Sequence, residues 1–128
     1  MAIITLLMGI ILTAAGLGFY YGSESHAITA LIPSFVGGPL AILGVLLLII
    51  KSSCRKHVAH IAAMIAALGT LAGLGMGIPG LIRMAIGSEG VRPLAVYASS
   101  VLGVCCLVVM VTAICSFRAA RKARQAAA

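Results

Sequence analysis

The sequence predicts an all-α fold, an integral membrane four-helix bundle, and three observations carry that prediction. Only 9% of its 128 residues are charged while 62% are hydrophobic, with a mean hydropathy of +1.23. A soluble domain carries about 25% charged residues, so water could not solvate this surface and lipid must. Four stretches also reach the about 18 uncharged apolar residues that a membrane crossing needs. Lastly, the polar residues concentrate in one interruption, Lys51-Ser52-Ser53-Cys54-Arg55-Lys56-His57-Val58-Ala59-His60, which divides the chain into two apolar hairpins. Membrane β-strands are excluded, because they alternate in polarity over about ten residues. Residues 1–128 read as a single four-span membrane domain.

The first span is Ala2–Tyr21, 20 residues without a charge. Met1 leads into it without a basic segment, and it exceeds a signal-peptide core of about 7–15 residues, so it is expected to be retained. Gly9, Gly16 and Gly18 with Ala14 and Ala15 offer small residues for close helix packing. Gly22-Ser23-Glu24-Ser25-His26 has turn composition, with Ser25 placed to cap the next helix. The second span, Ala27–Ile50, holds Pro33 and Pro39. Each proline removes a backbone donor and crowds the carbonyl four residues earlier. Gly37-Gly38-Pro39 is therefore an expected helix discontinuity, and broken helices can expose backbone polar groups to a substrate.

The third span, Val58–Ile82, has His60 as its sole titratable group. Its Gly69-x-x-x-Gly73-x-x-x-Gly77 places three glycines on one stripe, the expected site of the tightest helix contact. An internal helix is the favoured partner and a second subunit the alternative. Pro79-Gly80 is expected to loosen the helix end. The fourth span, Leu94–Phe117, carries Ser99, Ser100, Cys105, Cys106, Thr112 and Cys115, small groups that can pack or bond across helices. The tail, Arg118–Ala128, should continue this helix, with Arg118, Arg121, Lys122 and Arg124 at lipid headgroups.

Charge sets the expected threading. Seven of the nine Lys/Arg residues lie in the middle stretch and the tail, whereas Arg83, Arg92, Glu24 and Glu89 fall on the other side. Positive charge is retained in the cytoplasm, so both termini are expected inside, as for a protein of the bacterial inner membrane. The two outer turns share Gly-Ser-Glu at residues 22–24 and 87–89, an offset of 65. Two tandem helical hairpins related by a pseudo-twofold along the membrane normal are expected from that repeat.

Candidate chemistry is sparse. Cys54, His57 and His60 recur every third residue and carry zinc or haem donors. Their spacing fits no zinc motif, and Arg55 and Lys56 between them repel a metal, so a solvated interfacial cluster is the expectation. Glu24 and Glu89 read as solvated loop acids, Glu24 within reach of His26. No nucleophile–base set, phosphate loop or intramembrane acid occurs, which argues against an enzyme, a proton pump and a carrier of charged substrates. No cofactor is implied. The net charge of +7 is accounted for by anionic lipid without nucleic acid, since no groove-reading motif is present.

Tyr21-Gly22-Ser23 leading into Thr29-Ala30, then Gly37 and Gly38, resembles the first turn and glycine-rich second span of the transmembrane protein 14 family. Thr70-Leu71-Ala72-Gly73, then Arg83, Gly87 and Pro93-Leu94-Ala95, is similar to its third span and second turn. The resemblance covers about residues 14–103, and Pro33, Pro39 and the basic middle stretch depart from the family pattern. That family of small four-span proteins includes plastid fatty-acid exporters and mitochondrial proteins tied to porphyrin handling. The resemblance implies passage or binding of a lipophilic molecule. The residues themselves lead first to a non-catalytic protein working through helix–helix association, as a homo-oligomer or a subunit of a membrane complex. A carrier of a lipophilic molecule is the alternative.

Overall fold

The computed structural model describes residues 2–24 and 28–128. The predicted Ser25 cap and the Glu24–His26 pair lie outside the described residues. The chain forms α1 (Ala2–Gly22), a single 3-10 turn (Ile28–Leu31), α2 (Ile32–Ile49), α3 (Ser52–Ile86) and α4 (Pro93–Ala127). All four α-helices are long and apolar enough to cross a membrane. They make two antiparallel hairpins, α1 with α2 and α3 with α4. The hairpins join through smaller contacts of α2 with α3 and α1 with α4. Each helix therefore packs mainly against two others, α2 and α4 touching only slightly across the bundle, and exchanging the hairpins leaves that main pattern unchanged.

Small residues on a heptad seam explain the tight hairpins. The buried positions of α1 are Ala2, Thr5, Gly9, Leu12 and Gly16; those of α2 are Pro33, Gly37, Leu40, Gly44 and Leu47. Their steps of three and four give the 3.5-residue repeat of left-handed coiled packing. Gly9 abuts the Ala41 backbone, Gly16 abuts Ser34, and Gly44 abuts Leu6. A β-carbon on Gly44 would lie 2.7 Å from the Leu6 Cα, so only hydrogen fits there. In the second hairpin Gly73 meets Gly103, Gly77 meets Ser100 and Gly80 meets Val96. Between the hairpins, Leu12, Leu40, Ala66, Leu102, Cys106 and Val109 form the buried core. The outward faces carry large apolar side chains such as Leu7, Phe35, Met64 and Leu71, as a lipid-facing surface requires.

The turns differ from expectation in instructive ways. α2 runs without a break through Gly37-Gly38-Pro39, so the predicted discontinuity is absent. Pro33 falls in the first turn, where no intrahelical donor is needed, and the change of helix type precedes it at Leu31/Ile32. Pro39 lies on the exposed side, away from the seam. Likewise α3 passes through Pro79-Gly80 and ends four residues beyond the predicted Ile82. Gly87 stops it in a left-handed conformation (φ 76°), donating to Met84 O while Ser88 N–H reaches Arg83 O. That is the Schellman arrangement, which favours glycine at this position. By contrast Gly22 ends α1 without positive φ. The two Gly-Ser-Glu stretches thus match in letters and not in backbone. The polar middle stretch is not a loop either: only Ile50 and Lys51 are extended, and Ser52 onward is α3.

Candidate functional site: a basic groove at one end of the bundle

At about 1.5 Å per residue, α3 and α4 with 35 residues each span about 52 Å, against about 31 Å for the 21 residues of α1. A hydrocarbon core is about 30 Å thick. The excess divides between the two ends, and where α3 begins and α4 finishes, beyond the level of Ala2, Leu47 and Ala59, the two helices form a paired stalk. Glu24 and Glu89 sit at the opposite end, beyond Gly22 and Ile86.

The stalk's register follows from the glycine contacts. Gly73 with Gly103 and Gly80 with Val96 centre the α3–α4 hairpin on residue 88. The same register sets Lys56 across from Ala120 and His60 across from Phe117. His60 and Phe117 do meet, with ring centroids 4.7 Å apart and planes tilted by 49°. His60 Nδ1 lies 3.1 Å from the Lys56 carbonyl oxygen, and because a carbonyl only accepts, this nitrogen donates. The ring is thereby held toward α4.

Two grooves flank this contact. One, of about 270 Å³, is lined by Lys56, His60, Phe117, Ala120, Arg121 and Arg124. The other, of about 260 Å³, is lined by Arg55 and Lys56 over Ala2, Leu47, Ala59, Ser116, Phe117 and Ala120. They share Lys56, Phe117 and Ala120. Beneath them Ala2, Leu47 and Ala59 are buried with Val58 and Phe117 packed against them. Cations at the rim and an aromatic, aliphatic floor suit one ligand chemistry, an anionic head on an apolar body. A larger depression of about 460 Å³ lies at the opposite end, by Arg83 and Glu89. One cation and one acid there leave no charge preference, so the basic grooves are the better candidate.

The predicted headgroup set divides in two. Arg121 and Arg124 line the groove, at i+4 and i+7 from Phe117 on the α3-facing side of α4, whereas Arg118 and Lys122 line neither groove. Cys54, His57 and His60 are all exposed, and no group of three metal-binding side chains gathers among the described residues. Gly69, Gly73 and Gly77 do make close helix contacts, against Cys106, Gly103 and Ser100 of α4. Gly37 packs on Leu12 and Thr13, while Gly38 faces open space. Sequence reading missed Phe117 and the pairing of Lys56 with Arg121 and Arg124. The signal was available: a hairpin centred on the second Gly-Ser-Glu brings these positions opposite one another.

Compared with protein-family models, curated proteins and solved structures, the chain gives no match.

Proposed function

We propose that this chain is a non-catalytic membrane protein that holds an anionic amphiphile at its basic end, with both termini in the cytoplasm. The observation that carries this reading is the groove in which Lys56, Arg121 and Arg124 surround Phe117. An acidic headgroup placed there meets three cations, each contributing about 1 kcal/mol near a membrane surface. Its apolar part lies toward the membrane, along Phe117. The resemblance to the transmembrane protein 14 family points the same way, because fatty acids and porphyrins both carry carboxylates on apolar bodies. Self-association through the glycine stripe is less supported, since those glycines face α4 within the same chain.

Native mass spectrometry of protein released from bilayers with and without phosphatidylglycerol tests the proposal. The wild type should retain that lipid. Arg121→Gln with Arg124→Gln should weaken retention on the order of 25-fold, whereas Arg118→Gln with Lys122→Gln removes equal charge and should change it little. Equal losses in the two double variants, or no retained lipid in the wild type, would overturn the reading.

A further inference from the structure

We propose that the preferred occupant is a lipid with two phosphates on one headgroup, bridging the two grooves across Phe117. This rests on the basic end binding anionic amphiphiles and names the class it favours.

The two grooves are adjacent, because Lys56, Phe117 and Ala120 belong to both. Arg55 and Lys56 are consecutive on α3 and so diverge by about 100° around its axis. Arg55 serves one groove, Arg121 and Arg124 serve the other, and Lys56 stands between them. That distribution offers cations to two acidic groups held a short distance apart. A single phosphate in either groove leaves cations in the other without a counter-charge, whereas a linked pair satisfies both. Arginine is also suited to phosphate, which its planar fork engages through two parallel hydrogen bonds. No acidic side chain lines either groove to compete for these donors.

The axial order fits the rest of such a lipid. Along α4 the cations Arg124 and Arg121 precede Phe117 on the way to the membrane, over about 10 Å. Along α3 Lys56 precedes Ala59 and His60 in the same sense. Headgroup sites are thus distal and apolar floor proximal on both helices. The half-buried Phe117 belongs to the floor of both grooves, and the chains of one phosphatidyl unit would run from each groove toward the membrane. Because the second phosphate is tethered to the first, its binding is effectively intramolecular, and a bivalent ligand gains over two separate ones.

Wild-type protein, Lys56→Gln and Lys51→Gln are compared in bilayers containing either cardiolipin or phosphatidylglycerol at matched total charge, with lipid retention read by native mass spectrometry. Lys51 is exposed and lines neither groove, so its variant controls for lost charge. The expected result is a preference for cardiolipin of about tenfold or more in the wild type. Lys51→Gln should keep that preference and Lys56→Gln should bring it close to one. Equal retention of both lipids by the wild type, or an undiminished preference in Lys56→Gln, would overturn the two-groove inference alone. Retention of neither lipid would overturn the binding function with it.

Discussion

At the scale of single residues, the bundle depends on where side chains are missing. A β-carbon on Gly73 would sit 2.5 Å from the Gly103 nitrogen and 2.8 Å from the Ser99 carbonyl oxygen, all of it backbone that cannot rotate aside. Gly73→Ala must push α3 from α4 and should cost about 1–3 kcal/mol. Gly75, two residues on, has nothing within 4 Å, so Gly75→Ala should be neutral or stabilising by up to about 1 kcal/mol through helix propensity. Denaturation in mixed detergent micelles measures both. Ser34 offers a second comparison, its Oγ donating across helices to Thr13 O at 3.0 Å. Such bonds average about 0.6 kcal/mol in membranes. Ser34→Ala should therefore cost less than Gly16→Ala, whose new β-carbon would meet Ser34 N at 2.6 Å. The reverse order would mean that hydrogen bonding, not close packing, holds the first hairpin. Of these residues the glycines of α3 were legible in the sequence, because a four-residue spacing is an obvious stripe. Gly9, Gly16, Gly37 and Gly44 make equally close contacts. Gly9 and Gly16 were read as packing residues along with Gly18, which meets nothing within 4 Å, whereas the seven-residue spacing of Gly37 and Gly44 hides their role until the partner helix is known.

At the scale of elements, proline was read too strongly. Pro33 and Pro39 carry the same chemistry, yet one initiates α2 and the other lies within it. Only position relative to the helix start separates them, and that start is fixed by the preceding turn, not by the proline. Pro39→Ala should restore a donor toward the Phe35 carbonyl, leave the fold intact and hold or raise stability in the same denaturation assay. Loss of folding would indicate that α2 needs its proline bent or broken. The four spans themselves were legible because charge is absent over a sufficient length. The continuation of α4 through the basic tail was legible too, whereas the start of α3 at Ser52 and its end at Ile86 were not, because the basic residues after Lys51 are good helix formers once outside the apolar run. The helices simply continue, and α3 and α4 become long enough to build the stalk. The division into hairpins has a consequence of its own. Contacts within each hairpin exceed those between them, so residues 1–50 and 51–128 expressed as separate chains should reassociate in the membrane and copurify. Failure to do so would show that the Ile50–Lys51 link is needed for assembly.

At the scale of the whole molecule, the antiparallel arrangement converts a sequence asymmetry into a spatial one. Lys51, Arg55 and Lys56 at the start of α3 share an end with Arg118, Arg121, Lys122 and Arg124 on α4, and both acids lie at the other end. The asymmetry was plain from the sequence. The groove was not, because it needs the α3–α4 register, which comes from the packing of Gly73, Gly77 and Gly80 far from the cations. Binding at the groove draws on charge at a solvated rim, where attraction is screened within a Debye length of about 8 Å at physiological salt. Retention of phosphatidylglycerol should therefore fall as salt rises, and less steeply in Arg121→Gln with Arg124→Gln than in the wild type.

Whether the basic end exists as a paired stalk is tested most directly by crosslinking in intact membranes. Lys56→Cys and Ala120→Cys are combined with the four native cysteines replaced, and a short membrane-impermeant bifunctional thiol reagent is applied from each side in turn. The packing of α3 on α4 predicts a link within one chain, formed from a single side only, and none when Lys56→Cys is combined with Ser88→Cys. Absence of the first link, or its appearance only between chains, would contradict the register on which the groove is built.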